Sequence, residues 1–197
     1  GALEALLTGI PRGETRRYST PRRIAVVIED VAERRPSEEK LLTGPAMSIA
    51  KPDGEWSKAA HGFARGKGLT VEDLEVVDGG KGPVIAARVQ TGGESSRDLV
   101  RAGLEGAILG VPFAKSMRWG TNSFSWARPI HGVVAVLGGQ RIEAVVAGIE
   151  TTDTVVGHRA SDLPPAVVCD AATYLSVLED RWVMADRARR RLTIAEG

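Results

Sequence analysis

Gly132-Val133-Val134-Ala135-Val136-Leu137-Gly138-Gly139-Gln140-Arg141-Ile142-Glu143-Ala144-Val145-Val146-Ala147-Gly148-Ile149 reads as two apolar strands, 132–137 and 142–149. Gly138-Gly139 between them is hairpin-turn chemistry. Upstream, Ser95 or Ser96 opens a longer helix with Leu99, Leu104, Ala107 and Ile108 on its inward stripe, ended by Gly110 and Pro112. A helix beside a hairpin, without strict strand–helix alternation, predicts an α+β fold with a mixed, largely antiparallel sheet and packed helices.

Further outward the same logic continues. Arg23 to Val31 is the clearest strand, and its unbroken run Ile24-Ala25-Val26-Val27-Ile28 predicts cover on both faces. Arg12 to Arg17 reads as a basic turn, Arg34 to Lys40 as a surface loop, and Thr43 to Glu55 as turn chemistry around Pro52-Asp53-Gly54. Ser57 is a natural N-cap for a helix reaching Gly66. Thr70, with Asp73 three positions on, resembles a capping box for a second short helix. The segment 57–75 is therefore expected to be a small inserted helical hairpin. Val84 to Val89 reads as a strand entered by the turn Gly79-Gly80-Lys81-Gly82-Pro83. Asp170 is placed to cap a helix carrying Tyr174, Leu175 and Leu178, Arg181 to Met184 reads as a short strand, and Ala185 to Ala195 as a basic helix. The expected core is Val26, Ile28, Ile85, Val89, Leu104, Ile108, Val134, Val136, Val145 and Ile149.

The bulk numbers bound the function. The 197 residues are 43% hydrophobic and 26% charged with a net charge of +1, an ordinary globular balance and not that of a polybasic tail. Any attraction for nucleic acid has to come from a local patch. The single cysteine, Cys169, permits no intrachain disulfide, and a reducing compartment fits. No apolar run approaches the roughly 18 residues of a membrane span, and no signal-peptide series opens the chain. Gly1 in place of an initiator Met predicts that both ends are cut points in a longer chain.

Catalytic patterns are nearly empty. Gly79-Gly80-Lys81-Gly82 has neither the spacing nor the following helix of a phosphate loop. His61, His131 and His158 are far apart, with no ligand-spaced Cys, His or carboxylate nearby, so no metal site is expected. Four basic-aromatic clusters stand out instead: Arg16-Arg17-Tyr18-Ser19-Thr20-Pro21-Arg22-Arg23, Lys115-Ser116-Met117-Arg118-Trp119-Gly120, Arg128-Pro129-Ile130-His131, and Gly157-His158-Arg159. Guanidinium groups fork onto phosphates and flat rings stack on unpaired bases. Arg22, Arg23, Lys115, Arg118, Arg128, His158 and Arg159 are thus candidate RNA contacts. Each has an ordinary structural reading beside it. Strand-end arginines such as Arg22 and Arg23 are commonly solvated or paired. Trp119 and Trp126 are more often core or interface anchors, and His131 beside a strand is more often structural.

These clusters resemble, in the same order, blocks of the beta subunit of the bacterial two-subunit glycyl-tRNA synthetase. The matching pieces are Thr20-Pro21-Arg22-Arg23, Gly44-Pro45, Lys58-Ala59-Ala60, Gly62-Phe63-Ala64-Arg65, Lys115-Ser116-Met117-Arg118-Trp119-Gly120, Arg128-Pro129 with His131, and Gly157-His158-Arg159. Ala160-Ser161-Asp162 departs from the family's usual aromatic after the last block. The resemblance implies a module similar to the B3/B4-type domain of the phenylalanyl-tRNA synthetase beta subunit, spanning 1–197. It implies a role in binding and positioning glycine tRNA and in assembly, in the cytoplasm and not at a membrane. The alpha subunit would carry glycine and ATP, so no catalytic residue and no cofactor is expected in this stretch. Its implied partners are the alpha subunit, glycine tRNA and the remaining beta-subunit domains. Two rivals stand beside this: an editing hydrolase acting on mischarged tRNA, and a purely structural scaffold.

Overall fold

The computed structural model describes residues 1–80 and 82–197. The turn expected at 79–83 includes Lys81, which lies outside the described residues. The elements in chain order are α1 (Ala2–Leu6), β1 (Thr15–Thr20), β2 (Arg23–Ile28), β3 (Glu38–Ala46), α2 (Met47–Ala50), α3 (Lys58–Arg65), β4 (Leu74–Asp78), β5 (Pro83–Thr91) and α4 (Ser96–Leu109). They continue as β6 (Val133–Val134), β7 (Val136–Leu137), β8 (Gln140–Arg141), β9 (Val145–Val146), β10 (Ile149–Thr152), β11 (Thr154–Val155), β12 (Ala166–Val167), α5 (Tyr174–Glu179) and α6 (Arg187–Glu196). The class is α+β, with mostly antiparallel pairing; β6 beside β10 is the parallel exception among the described residues.

The chain divides into two compact units, 1–35 with 94–197, and 36–93. The second unit is a three-stranded sheet in the order β3-β5-β4. Ile85 and Ala87 on the central strand are fully buried, as are Ala50 and Ala60 on the two helices, and Ile85 packs in one cluster with these alanines and with Ala64 and Val71. Ser57 caps α3 as expected, its hydroxyl accepting from the Ala60 N–H at 3.3 Å. Thr70 and Asp73 form the expected box, with the Thr70 N–H donating to the Asp73 carboxylate at 2.9 Å. That box starts only a single 3-10 turn, Val71–Asp73, and the chain leaves it as β4. The stretch 57–75 therefore lies inside this unit. Two strands were hidden in polar sequence. Glu38–Ala46 carries charges on its outer positions, and Leu74–Asp78 is short, so neither shows a long apolar alternation.

In the first unit, α4 lies against α1 and the short strands of 133–152. Ser96, Val100 and Leu104 form its buried stripe at four-residue spacing, with Leu99 and Ile108 half-buried beside it. Gly103 sits where α1 crosses: a Cβ there would lie 2.3 Å from Leu6 Cδ2. Arg97 donates to the Leu137 carbonyl at 2.6 Å and the Arg141 carbonyl at 3.0 Å, tying the Gly138-Gly139 hairpin to α4.

Several expectations are corrected here. β2 is not covered on both faces. It pairs only with β1, and Ile24 and Val26 are exposed. Thr15 to Thr20, read partly as a turn, is a strand. The stretch 142–149 is not one strand. Ala147 and Gly148 both have positive φ, 55° and 77°, and make a two-residue loop between β9 and β10. Alanine tolerates this because its N–H donates to the Glu105 carboxylate at 2.9 Å. The break puts the two sides of the loop out of phase, so that Val146 is buried and Val145 exposed; in the upstream strand Val133 and Ala135 are buried and Val134 is exposed. Arg181 to Met184 is a turn and not a strand. It closes α5 with a left-handed residue, Trp182, at φ 60°. The Val183 N–H donates to the Leu178 carbonyl and the Trp182 N–H to the Glu179 carbonyl, both at 2.9 Å. This is the glycine-type helix stop with a tryptophan in the glycine position.

Thr151 is the buried polar pin of the first unit. Its hydroxyl donates to the Ile142 carbonyl at 2.6 Å and accepts from the Ala144 N–H at 3.1 Å. Thr151→Val keeps the shape but strands one donor and one acceptor out of water. It is expected to cost about 2–3 kcal/mol. A urea-denaturation midpoint within error of the parent would show that neighbouring groups or water take over these bonds.

Candidate nucleic-acid interface

The candidate residues fall into two built groups in the first unit. The first is a corner where the β1–β2 turn meets the segment after β11. Thr20 pairs with Arg23, leaving Pro21 and Arg22 as the turn, and the Thr20 hydroxyl accepts from the Arg22 N–H at 3.2 Å. Arg22 is exposed, with no side-chain partner among the described residues. Alternation along β2 turns Arg23 the other way. Its guanidinium donates to the carbonyls of Val156 and Gly157, the latter at 2.9 Å. Burial pushes the Arg23 guanidinium down from its ordinary value, partly offset by neighbouring Tyr174. Burial in the same place raises the Tyr174 phenol, partly offset by Arg23. Tyr18 and Tyr174 stand 6.2 Å apart, and both pack on the cluster around Leu178.

The carbonyls held by Arg23 lead directly into His158 and Arg159. The His158 N–H donates to the Arg181 carbonyl at 2.9 Å, and the Ser161 hydroxyl and N–H both donate to the His158 carbonyl, at 2.7 and 2.9 Å. His158 Nδ1 accepts from the Ala160 N–H at 3.2 Å. The turn 158–161 is thus fixed by its backbone, with His158 and Arg159 exposed on it. Gly157 is buried tightly here: an added Cβ would lie 2.8 Å from both the Arg181 carbonyl oxygen and its Cβ.

The second group is a narrow hairpin beyond α4. Met117 and Trp126 exchange two backbone hydrogen bonds, at 2.8 and 3.0 Å. The Trp126 indole donates to the Ile108 carbonyl at 3.0 Å, one of the acceptors left over at the end of α4. Phe113 meets Trp126 edge-on at 4.8 Å, and Trp119 meets Phe124 edge-on at 5.2 Å. The Asn122 amide closes the tip on the Trp119 carbonyl at 3.0 Å. Both tryptophans therefore act as anchors, the ordinary reading given above. They hold Lys115, Arg118 and Arg128 at exposed positions, with no hydrogen bond or ion pair to any of these side chains among the described residues. Arg118 is not buried against a carboxylate. His131 is exposed rather than a buried structural histidine.

One signal in the sequence marks this second group beyond its motifs. Between Glu105 and Glu143 the chain has no Asp or Glu, while Lys115, Arg118, Arg128 and Arg141 are all cationic. The net charge of the whole chain hides this. No hydrogen bond, ion pair or ring contact among the described residues joins the two groups.

Two open hollows lie elsewhere. One, of about 290 Å³, is lined by Glu179, Trp182, Val183, Met184 and Arg189. The other, of about 270 Å³, is lined by Arg187, Arg190, Arg191 and Ile194. Among the described residues no group of His, Cys, Asp or Glu could hold a metal ion, and no helix is long and apolar enough to cross a membrane.

Residues 3–197 match the family described as glycyl-tRNA synthetase beta subunit. The chain is 38% identical over 179 residues to the glycine–tRNA ligase beta subunit of Chromohalobacter salexigens, covering 91% of this chain and 26% of that protein. It is 39% identical over 183 residues to that of Geobacter sulfurreducens, covering 92% and 27%. Against that of Shouchella clausii it is 37% identical over 189 residues, covering 94% and 27%. It thus spans about a quarter of the length of the curated relatives it matches. A match over nearly its whole length, which takes in both exposed basic groups, places the chain in the glycyl-tRNA synthetase beta subunit family.

Proposed function

We propose that this chain is a tRNA-binding and positioning module of a glycyl-tRNA synthetase beta subunit, working beside an alpha subunit that activates glycine with ATP. The observation that carries the reading is the hairpin of 115–128. Its tryptophans are engaged in anchoring, while Lys115, Arg118 and Arg128 stand exposed and, among the described residues, unpaired in an acid-free stretch. Exposed cations with no internal partner are placed to meet phosphates. Arg22, His158 and Arg159 form the second contact. Arg23, with its guanidinium on two carbonyls, orients the turn that carries His158 and Arg159. An editing hydrolase would act from an enclosed polar pocket, and none of these basic residues lines either of the two hollows described at α5 and α6.

Arg118→Ala in the assembled enzyme is expected to weaken tRNA binding several-fold and to flatten its salt dependence by about one phosphate contact. The melting temperature should stay within error, because the side chain is exposed and unpaired. Filter binding across a salt series, with a melting curve on the same sample, checks this. A strongly lowered melting point with unchanged tRNA affinity would remove Arg118 and its hairpin from the RNA surface.

A further inference from the structure

We propose that Trp182 is a stacking platform for an unpaired RNA base, with the arginines of α6 taking the flanking phosphates. This site lies outside the basic clusters above and rests on the reading of the chain as an RNA-binding module.

The first support is backbone geometry. Trp182 occupies the left-handed residue that ends α5, at φ 60°. Glycine fills that position without strain, whereas a large side chain there is a rare and unfavourable choice. The fold gains little packing in return, because Trp182 is 66% exposed. Its ring has no aromatic partner and its indole N–H has no hydrogen bond among the described residues. The other three tryptophans are each half-buried and engaged: Trp119 and Trp126 in ring pairs, and Trp56 under Lys51. A strained, exposed, unengaged aromatic indicates a role outside the fold.

The second support is the setting. Trp182 lines an open hollow with Glu179, Val183, Met184 and Arg189, the Glu179 carboxylate being neutralised by its pairing with Arg189. Helix α6 runs past it with Arg187, Arg189, Arg190 and Arg191, and no residue of that helix is buried. Arg190 is tied to the Met184 and Ser19 carbonyls at 2.7 and 3.2 Å, and Arg189 pairs with Glu179. These bonds fix the helix beside the tryptophan. Arg187 and Arg191 are exposed and have no side-chain partner among the described residues. They line a second hollow on the same helix with Arg190, and a flat apolar face with exposed guanidinium groups further along its helix suits a base on its sugar–phosphate chain.

The test titrates the chain with oligouridylate and with an abasic ribose-phosphate oligomer of equal length and charge, following tryptophan fluorescence. Oligouridylate is expected to quench an emission component that Trp182→Gly lacks, and the abasic oligomer to leave it unquenched. Trp182→Gly should weaken oligouridylate binding about tenfold, and Trp182→Phe should retain most of it. Neither Trp182→Gly nor Trp182→Asn should lower the melting temperature, since both residues accept the left-handed backbone. Equal quenching by the abasic oligomer, no quenching at all, or a Trp182→Gly protein that melts several degrees lower would each overturn the platform. Failure of the hairpin reading is separable. If Arg118→Ala leaves tRNA binding unchanged while oligouridylate still quenches Trp182, the platform stands and the hairpin does not.

Discussion

Alanine at Leu178 is expected to destabilise the first unit by about 3–5 kcal/mol, the largest single effect anticipated here. Leu178 is fully buried, at 0% exposure, in a small cluster with Val155, Val168, Val183 and Ala185. Half-buried Tyr18, Tyr174, Leu175 and Val177 pack around it. The neighbours are held by backbone bonds: the Val183 N–H on the Leu178 carbonyl, and the Val168 N–H on the Asp153 carbonyl at 2.8 Å. They cannot collapse easily into the vacated space, so the cost should lie near the upper end for a leucine truncation. At roughly 2–4 °C per kcal/mol, the melting point should fall by about 10 °C. The Tyr18–Tyr174 contact rests on the same cluster, so near-ultraviolet circular dichroism should change with it. A loss below about 1 kcal/mol would mean that the corner holding Arg23 and His158 is supported from elsewhere.

Gly157→Ala should have a large effect of a different kind, because it couples stability to binding. The new methyl group would overlap the Arg181 carbonyl oxygen and Cβ at 2.8 Å and approach the Ser161 hydroxyl at 3.1 Å. That same carbonyl accepts from the His158 N–H, so Arg181 cannot move aside without releasing the turn. Relief by shifting Gly157 instead breaks the hold of Arg23 on its carbonyl. Overpacking of this kind costs about 1–3 kcal/mol. Because the turn carries His158 and Arg159, tRNA affinity should fall together with the melting temperature. Arg159→Ala is the comparison: it should lower affinity alone, since Arg159 is exposed and has no side-chain partner among the described residues. Denaturant melts and tRNA binding on the two variants decide the matter. A Gly157→Ala protein of normal stability with reduced affinity would show that the turn gives way cheaply, and that backbone packing does not hold it in place.

The legible parts of the fold were those written in local chemistry. Ser57 and Ser95 announced α3 and α4 because an N-cap needs only a side-chain oxygen and the next few amides. Gly138-Gly139 announced its hairpin because glycine adopts two left-handed conformations in a row without strain. The basic clusters and their order identified the family. Their exposure did not follow from the residues: Arg22 and Arg23 are adjacent and of one type, yet strand alternation exposes one and engages the other. The loop at Ala147-Gly148 was concealed for a related reason. Its left-handed alanine donates to Glu105, a carboxylate on a helix far away in sequence, and the phase between Val145 and Ile149 changes across it. The exposed face of β2 was equally unreadable, since an apolar run implies cover only if a neighbouring strand or helix supplies it. Sequence alone determined where α3 and α4 begin and where the Gly138-Gly139 hairpin turns, which chemistry is present, and which family the chain resembles. Tertiary structure alone decided which cations are free and which glycine has no room to grow. It also set a tryptophan in a glycine's place, because burial and partnership are properties of distant segments brought together.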